Sequence, residues 1–244
     1  MTRMRRLRAA ARAAAPGLYD RAHNFAMLAL WYRSKLGRRG GAADAYTDEF
    51  WAAQEAGDWD GFARAIVRAC NPRSVLDVGC GSGALLRAFA RVAPDVRTLD
   101  LEHSAGALQR ARAAGVNVCA WDATRLDAGR SAKLAGRIGP WDLVVCLEVA
   151  EHLPPWHGRR LVRFLSHWNT VVFSAARPGQ GGVWHLNEQP PEYWLRCFAN
   201  AGLQRQPAGD AIRDEIRGVS LGPWYAANLV LLARPSALEH GTPE

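Results

Sequence analysis

The chain has 244 residues, of which 49% are hydrophobic and 22% charged, enough for one α/β core and too apolar for a chain disordered throughout. Its net charge of +8 sits at the N-terminus, where residues 1–43 hold ten Lys or Arg against Asp20 alone, so the rest is near neutral and a basic nucleic-acid groove in the main domain is excluded. The five cysteines, Cys70, Cys80, Cys119, Cys146 and Cys197, form no CxxC pair, which excludes a disulfide framework and fits a reduced cytoplasm.

Residues 1–43 read as a basic helical appendage, split by Pro16-Gly17, with Phe25, Leu28, Trp31 and Tyr32 set among Arg21, Arg33 and Lys35 in its second helix. Such a helix either lies on the domain or over its cleft, or rests through residues 1–41 on an anionic membrane surface as a peripheral contact. An organellar targeting peptide is a third reading, without a legible cleavage signal. No run reaches the roughly 18 apolar residues of a span.

Helices are predicted over 47–56 and 61–70, the second ended by Asn71-Pro72. Strands near 74–79, 95–100, 116–120, 141–147 and 169–174 then alternate with helices near 83–92, 104–114, 157–168 and 191–202, and 229–233 is a last strand. This alternation predicts an α/β, doubly wound parallel sheet over 44–236, with 237–244 as a disordered tail. Ligands in such sheets sit at the carboxyl ends of the strands.

The most informative stretch is Val75-Leu76-Asp77-Val78-Gly79-Cys80-Gly81-Ser82-Gly83, a strand running into a glycine turn and then a helix. Glycines at alternate positions remove the Cβ atoms that would hold a ligand off the backbone, so Gly79, Gly81 and Gly83, with Cys80 between them, form a nucleotide-type cofactor loop. The same residues satisfy a loose dinucleotide pattern, Gly79-x-Gly81-x-x-Ala84. Asp77 decides between the two, because its charge repels a pyrophosphate and attracts the ammonium of S-adenosyl-L-methionine. Asp100, about 20 residues past the turn, is the expected ribose ligand with Leu101 beside it; Glu102 has the same parity and is the alternative. Asp122 and Ala123, after Trp121, are expected beside the adenine, with Asp122 accepting from its amine.

A fourth motif, Trp141-Asp142-Leu143-Val144-Val145-Cys146-Leu147-Glu148-Val149-Ala150-Glu151-His152-Leu153-Pro154-Pro155, completes a resemblance to the class I S-adenosylmethionine-dependent methyltransferases. Further stretches, Phe173 to Gly182, His185 to Gln189, Glu192 to Trp194 and Trp224 to Asn228, are similar to bacterial methyltransferases of polysaccharide or secondary-metabolite assembly. The resemblance covers roughly residues 46–233 and departs at the N-terminus and around 206–222. It implies a Rossmann-like, mostly parallel seven-stranded sheet with an antiparallel last strand, and S-adenosyl-L-methionine as cofactor, with Leu147 and Glu148 beside it. It implies methyl transfer to a small-molecule acceptor, free, lipid-linked or carrier-bound. A homodimer is compatible with it.

Direct displacement at the sulfonium methyl needs alignment above all. A hydroxyl acceptor also needs a base, for which His152, just after the fourth strand, and His185 with Glu188, in the glycine-rich loop after the fifth, are the candidates. Trp184, Tyr193, Trp194, Trp224 and Tyr225 are expected to wall the acceptor pocket. Glu148, His152, His185 and Glu188 carry no ligand spacing for a metal, so a chelator is expected to leave turnover intact. Transfer to oxygen of a saccharide or secondary metabolite leads. An N-methyltransferase on an amino sugar or other amine, a nicotinamide-binding oxidoreductase and a non-catalytic module follow. Nucleic-acid methylation is a further alternative that is not expected, because the Asn/Asp-Pro-Pro-Tyr/Phe loop usual in the base-modifying amino enzymes is replaced by Glu148-Val149-Ala150-Glu151.

Overall fold

The computed structural model describes residues 46–235 and, within the N-terminal segment, Ala22, residues 25–29 and Tyr32, all helical. Most of the basic appendage and all of the tail over 237–244 lie outside the described residues. The elements are α1 (Asp48–Glu55), α2 (Trp59–Cys70), β1 (Ser74–Val78), α3 (Ala84–Val92), β2 (Arg97–Glu102), α4 (Ala105–Ala113), β3 (Val118–Ala120), α5 (Ala128–Ile138) and β4 (Leu143–Leu147). They continue as α6 (Pro155–Leu165), β5 (Thr170–Ser174), α7 (Pro191–Ala199), β6 (Gln204–Arg205), α8 (Ala208–Ile216), α9 (Pro223–Asn228) and β7 (Val230–Ala233). None of the helices among the described residues is long and apolar enough to cross a membrane.

The seven strands form one sheet in the order β3-β2-β1-β4-β5-β7-β6. The first five are parallel, and β7 runs antiparallel between β5 and β6. The chain reverses its direction of winding between β1 and β4, which opens a crevice at their carboxyl ends.

Both faces of the sheet are covered, so its central strands are apolar throughout. On one face Leu76, Val78, Leu101, Val144 and Phe173 pack with Phe164 and Leu161 of α6 and Phe198 of α7. On the other, Val75, Leu143, Val145 and Val172 pack with Phe62 and Ile66 of α2, Phe89 of α3 and Ile212 of α8. Asp77 and Asp100 stand opposite each other in the β1–β2 register. α2 ends as its sequence predicts: Asn71 takes the left-handed conformation at φ 41°, its N–H bonds to Val67 O, and Pro72 follows.

Four elements escape the sequence reading: α5, α8, β6 and α9, a six-residue helix opened by Pro223. α5 is capped by Asp127 and packs Leu134, Ala135 and Ile138 against the core, but Gly129 and Gly136 within it interrupt the helical signal. α8 lies in the stretch where the resemblance departs, and is recognisable through its packing on α2, including the Arg68–Glu215 salt bridge. β6 has two residues and exists through its pairing with β7. β2 extends two residues beyond its predicted end, which changes the assignment of the site.

Candidate active site

The β1–α3 turn is built as its glycines demand. Gly79, Gly81 and Gly83 all have positive φ, at 85°, 59° and 75°. A Cβ on Gly79 would lie 2.4 Å from Val149 Cγ2, and one on Gly81 would press on the Trp51 ring at 3.1 Å. A Cβ on Gly83 would lie 3.3 Å from Asp100 Oδ2, so the turn closes over the carboxylate below it. The Gly79 N–H donates to Leu101 O at 2.7 Å, tying the turn to β2. The Cys80 thiol donates to Gly81 O at 3.5 Å, and burial followed by the charge of Asp100 keeps it protonated.

The acid at the end of β2 is Glu102, not Asp100. Asp100 is wholly buried one pleat deeper, with neither carboxylate oxygen hydrogen-bonded. Burial, then Asp77 opposite, raises its pKa well above the carboxylate range. Glu102 accepts from the N–H groups of Gly81, His103 and Ser104 at 2.5–2.9 Å, which bonds the strand end to the glycine turn. Burial still raises its pKa against those bonds. Asp77, 4% exposed, is pushed up to about 7 by burial and then by Glu102.

Other expected cofactor contacts shift as well. The side chain of Leu101 lies in the core, and its carbonyl is what serves the turn. Ala123 is also buried in that core. Asp122 caps the 3-10 turn over Ala123–Arg125, its Oδ1 accepting from Thr124 N at 2.9 Å and Thr124 Oγ1 at 2.6 Å. Even so, Asp122 lines, with His103 and Trp121, a cleft of about 410 Å³ beside the end of β3. These residues suit an adenosine: a glycine turn no side chain fills, a carboxylate at the strand end and an aromatic wall next to it.

Beyond the turn, the loops after β4 and β5 meet. Glu148, at the end of β4, holds an uncommon positive φ of 54°, and its carboxylate accepts from Gln180 Nε2 at 2.7 Å and from Asn228 Nδ2 at 3.1 Å. The next 3-10 turn, Ala150–His152, carries Glu151 and His152 inward. The Glu151 carbonyl accepts from the N–H groups of Leu186 and Asn187 and so draws the second loop over the first. His185 then stands edge-on to His152, with ring centroids 5.0 Å apart.

The His185 Nδ1 bonds to Glu188 Oε1 at 2.9 Å, and Glu188 accepts from the N–H groups of Gly179 and Gly181 at 2.6 and 2.8 Å. Burial works against the Glu188 charge, but these three bonds outweigh it and hold the pKa below the usual value. The His152 Nδ1 faces Trp184 O at 3.4 Å, and burial, then neighbouring His185, lowers its pKa to about 4. His152 is therefore a neutral imidazole at neutral pH. Gly182 is glycine because a Cβ would fall 2.2 Å from His185 Nε2, whereas a Cβ on Gly181, at φ 67°, would meet open space.

The predicted catalytic residues His152, His185 and Glu188 thus converge, joined by Glu151, which the sequence reading left unassigned. Both Glu151 oxygens are buried and make no full hydrogen bond, with the Ala176 N–H and the Glu148 carboxyl as their polar neighbours. Tyr46 was also missed; its ring lies 6.4 Å from His152, and α1 behind it places Trp51 against the glycine turn. The expected aromatic wall does not hold together. Trp194 and Tyr225 are core residues, Tyr193 packs on Trp194, and Trp224 is exposed, which leaves Trp184 at the site.

Residues 76–172 match the family model described as "Methyltransferase domain", and that stretch spans β1 to β5 with the whole glycine turn. Over that stretch the chain is similar to methyltransferase domains. It is 34% identical over 82 residues to a ubiquinone biosynthesis O-methyltransferase of Acinetobacter baumannii, a match covering 34% of each sequence, so it spans about a third of the curated relatives it matches. Two solved structures share its fold. The sugar N-methyltransferase KedS8 from Streptoalloteichus sp ATCC 53650 is 18% identical, with 77% of this chain and 92% of that one covered at a TM-score of 0.54. CalS10, an amino pentose methyltransferase from Micromonospora echinaspora solved with S-adenosylmethionine bound, is 20% identical, with 84% and 96% covered at a TM-score of 0.50.

Proposed function

We propose that the chain is an S-adenosylmethionine-dependent methyltransferase that methylates a hydroxyl of a small molecule, a saccharide or a secondary metabolite. The observation carrying this reading is the buried cluster of His152 and His185, the latter held by Glu188, at the carboxyl ends of β4 and β5.

The cofactor supplies an electrophilic methyl group on a sulfonium. The glycine turn, Glu102 and the Trp121–Asp122 wall would hold its adenosine, and Asp77 lies where a carboxylate can balance its ammonium. On the acceptor side, a hydroxyl must shed a proton as its oxygen takes the methyl group, and the two imidazoles are the groups placed to manage that proton. Glu188 fixes the ring of His185 with Nδ1 engaged, leaving Nε2 toward the acceptor side. Glu148, tied to Gln180 and Asn228, and Trp184 shape the space for the rest of the acceptor. Tyr46 and Trp51 of the preceding segment shield the junction from water.

Transfer to an amino-sugar nitrogen is the second reading, prompted by the printed names of KedS8 and CalS10. A neutral amine needs no imidazole, so the cluster favours oxygen. A cytoplasmic site of action and a carrier-bound or lipid-linked acceptor belong to the same proposal.

The test is transfer of label from methyl-labelled S-adenosylmethionine into a cell extract separated into saccharide, small-metabolite, protein and nucleic-acid fractions, comparing wild type with Glu102→Gln and His185→Asn. Label in the saccharide or small-metabolite fraction, lost in both variants, is the expected result. Label confined to protein or nucleic acid would refute it, and acid-stable label on a primary amine would favour the second reading.

A further inference from the structure

We propose that Glu151, His152 and His185 form a binding site for one first-row divalent cation, of the Mn²⁺, Co²⁺ or Zn²⁺ kind, on which the acceptor's oxygen is held. This rests on the methyltransferase reading and deepens it. Each of the three residues offers one ligand atom, and these atoms lie within 4.8 Å of one another. Donors on a common ion bonded at about 2.1 Å stand roughly 3 to 3.6 Å apart, so side-chain adjustment closes the site.

Two further observations point to a ligand here. The first is the Glu151 carboxylate, wholly buried, with no full hydrogen bond to either oxygen and with its own N–H, the Ala176 N–H and the Glu148 carboxyl as its polar neighbours. Glu148, the nearest acid, has its own oxygens engaged by Gln180 and Asn228. Among the described residues no Lys or Arg makes a salt bridge to Glu148 or Glu151, and a bare buried carboxylate is costly unless a proton or cation meets it.

The second is the way the imidazoles are held. Metal-binding histidines as a rule present one ring nitrogen and engage the other with a carboxylate or backbone carbonyl. His185 has Nδ1 on Glu188, and His152 has Nδ1 toward Trp184 O with the Val183 and Glu148 carbonyls also near its ring, so both imidazoles are oriented by acceptors as metal ligands are.

Two imidazoles and one carboxylate select a first-row transition ion or zinc over Mg²⁺ or Ca²⁺, which favour all-oxygen sets. Three protein ligands leave positions for the acceptor. The acceptor class implied is a hydroxyl with a second oxygen on the neighbouring carbon, which can bind the ion through both. A hydroxyl held on such an ion would be more acidic: its proton would pass to solvent as its oxygen takes the methyl group and S-adenosylhomocysteine leaves.

The experiment uses the full chain, stripped with EDTA, dialysed and titrated with Co²⁺. It reads d–d absorption, metal retained after gel filtration, and, separately, S-adenosylhomocysteine binding by calorimetry. About one equivalent of Co²⁺ is expected to bind, weakened at least about tenfold in Glu151→Gln and in His185→Asn. Glu188→Gln, which removes a positioning residue, should weaken it by about 10- to 100-fold with unchanged stoichiometry. Retained S-adenosylhomocysteine binding shows that each variant is folded. A stripped wild-type chain that binds S-adenosylhomocysteine but takes up none of Mn²⁺, Co²⁺ or Zn²⁺ at millimolar concentration would overturn the ion site and leave the methyltransferase reading intact. Variants that bind Co²⁺ like wild type would equally overturn it. Uptake of the ion without any S-adenosylhomocysteine binding would support the site and refute the methyltransferase reading.

Discussion

The acids beneath the glycine turn divide by depth. Glu102 ends β2 with three backbone N–H groups on its carboxylate, while Asp100 lies beneath Gly83 opposite Asp77. Glu102→Gln is therefore expected to weaken S-adenosylhomocysteine binding by about 10- to 100-fold, the worth of a charge-assisted hydrogen bond, with Asp100→Asn changing it by less. Calorimetry on both variants checks this; a larger loss from Asp100→Asn would return the ribose role to that residue. Asp77 adds a pH dependence. Its folded-state pKa is raised from 3.8 to about 7, so its contribution to stability is whole below the lower value and is lost as pH rises through the upper one. A cofactor ammonium that needs the charged carboxylate binds more tightly over the same interval. Asp100 and Glu102 on β2 and the Cys80 and Cys146 thiols are the titratable groups that face or interact with Asp77. Affinity for S-adenosylhomocysteine is expected to rise between pH 5.5 and 8 and to lose that slope in Asp77→Asn; a flat wild-type profile would refute it. Asp77 was legible because its place follows from the adjoining glycines. The choice between Asp100 and Glu102 was not, since two residues of equal parity point the same way from a strand and the strand's end decides which meets the ligand.

At the scale of elements, the β1–α3 turn and the loop after β5 use glycine for different reasons. Gly79 combines positive φ with a close approach to Val149, whereas Gly181 has positive φ and open space. Gly181→Ala should cost about 1 kcal/mol of stability through the backbone alone, and Gly79→Ala distinctly more because Val149 must move as well. Urea denaturation of both checks the difference, and equal losses would mean that Val149 yields freely. α1 belongs here too, since Trp51 rests on the turn. Trp51→Ala is expected to weaken cofactor binding several-fold, measured by calorimetry, while the sheet stays folded. Helices α2, α3 and α6 were readable because each carries an apolar face for one of the two core layers. α5, α8 and α9 were not, because glycines within α5 and the prolines and glycines that open α8 and α9 read locally as breakers.

For the whole molecule, the arrangement predicts linkage between cofactor and stability. A ligand at 100 times its dissociation constant adds about 2.7 kcal/mol, which for a chain of this size raises Tm by roughly 5–10 °C. S-adenosylhomocysteine is expected to produce such a shift and NAD none; the reverse would restore the nicotinamide reading. Within the N-terminal segment, Tyr32 reaches Trp156 at the start of α6, with centroids 6.2 Å apart, so one described residue of the basic appendage touches the domain on the side of the acceptor loops.

The sequence by itself determined the doubly wound sheet, the glycine turn and the cofactor class, because each rests on residues adjacent in the chain whose periodicity or missing Cβ speaks directly of backbone geometry. Tertiary structure alone decided which acid ends β2 beside the glycine turn and that Glu151 joins His152 and His185. Those side chains come from loops more than thirty residues apart, joined by the Glu151 carbonyl bonds to Leu186 and Asn187, and no local pattern encodes a meeting made by the register of β4 on β5.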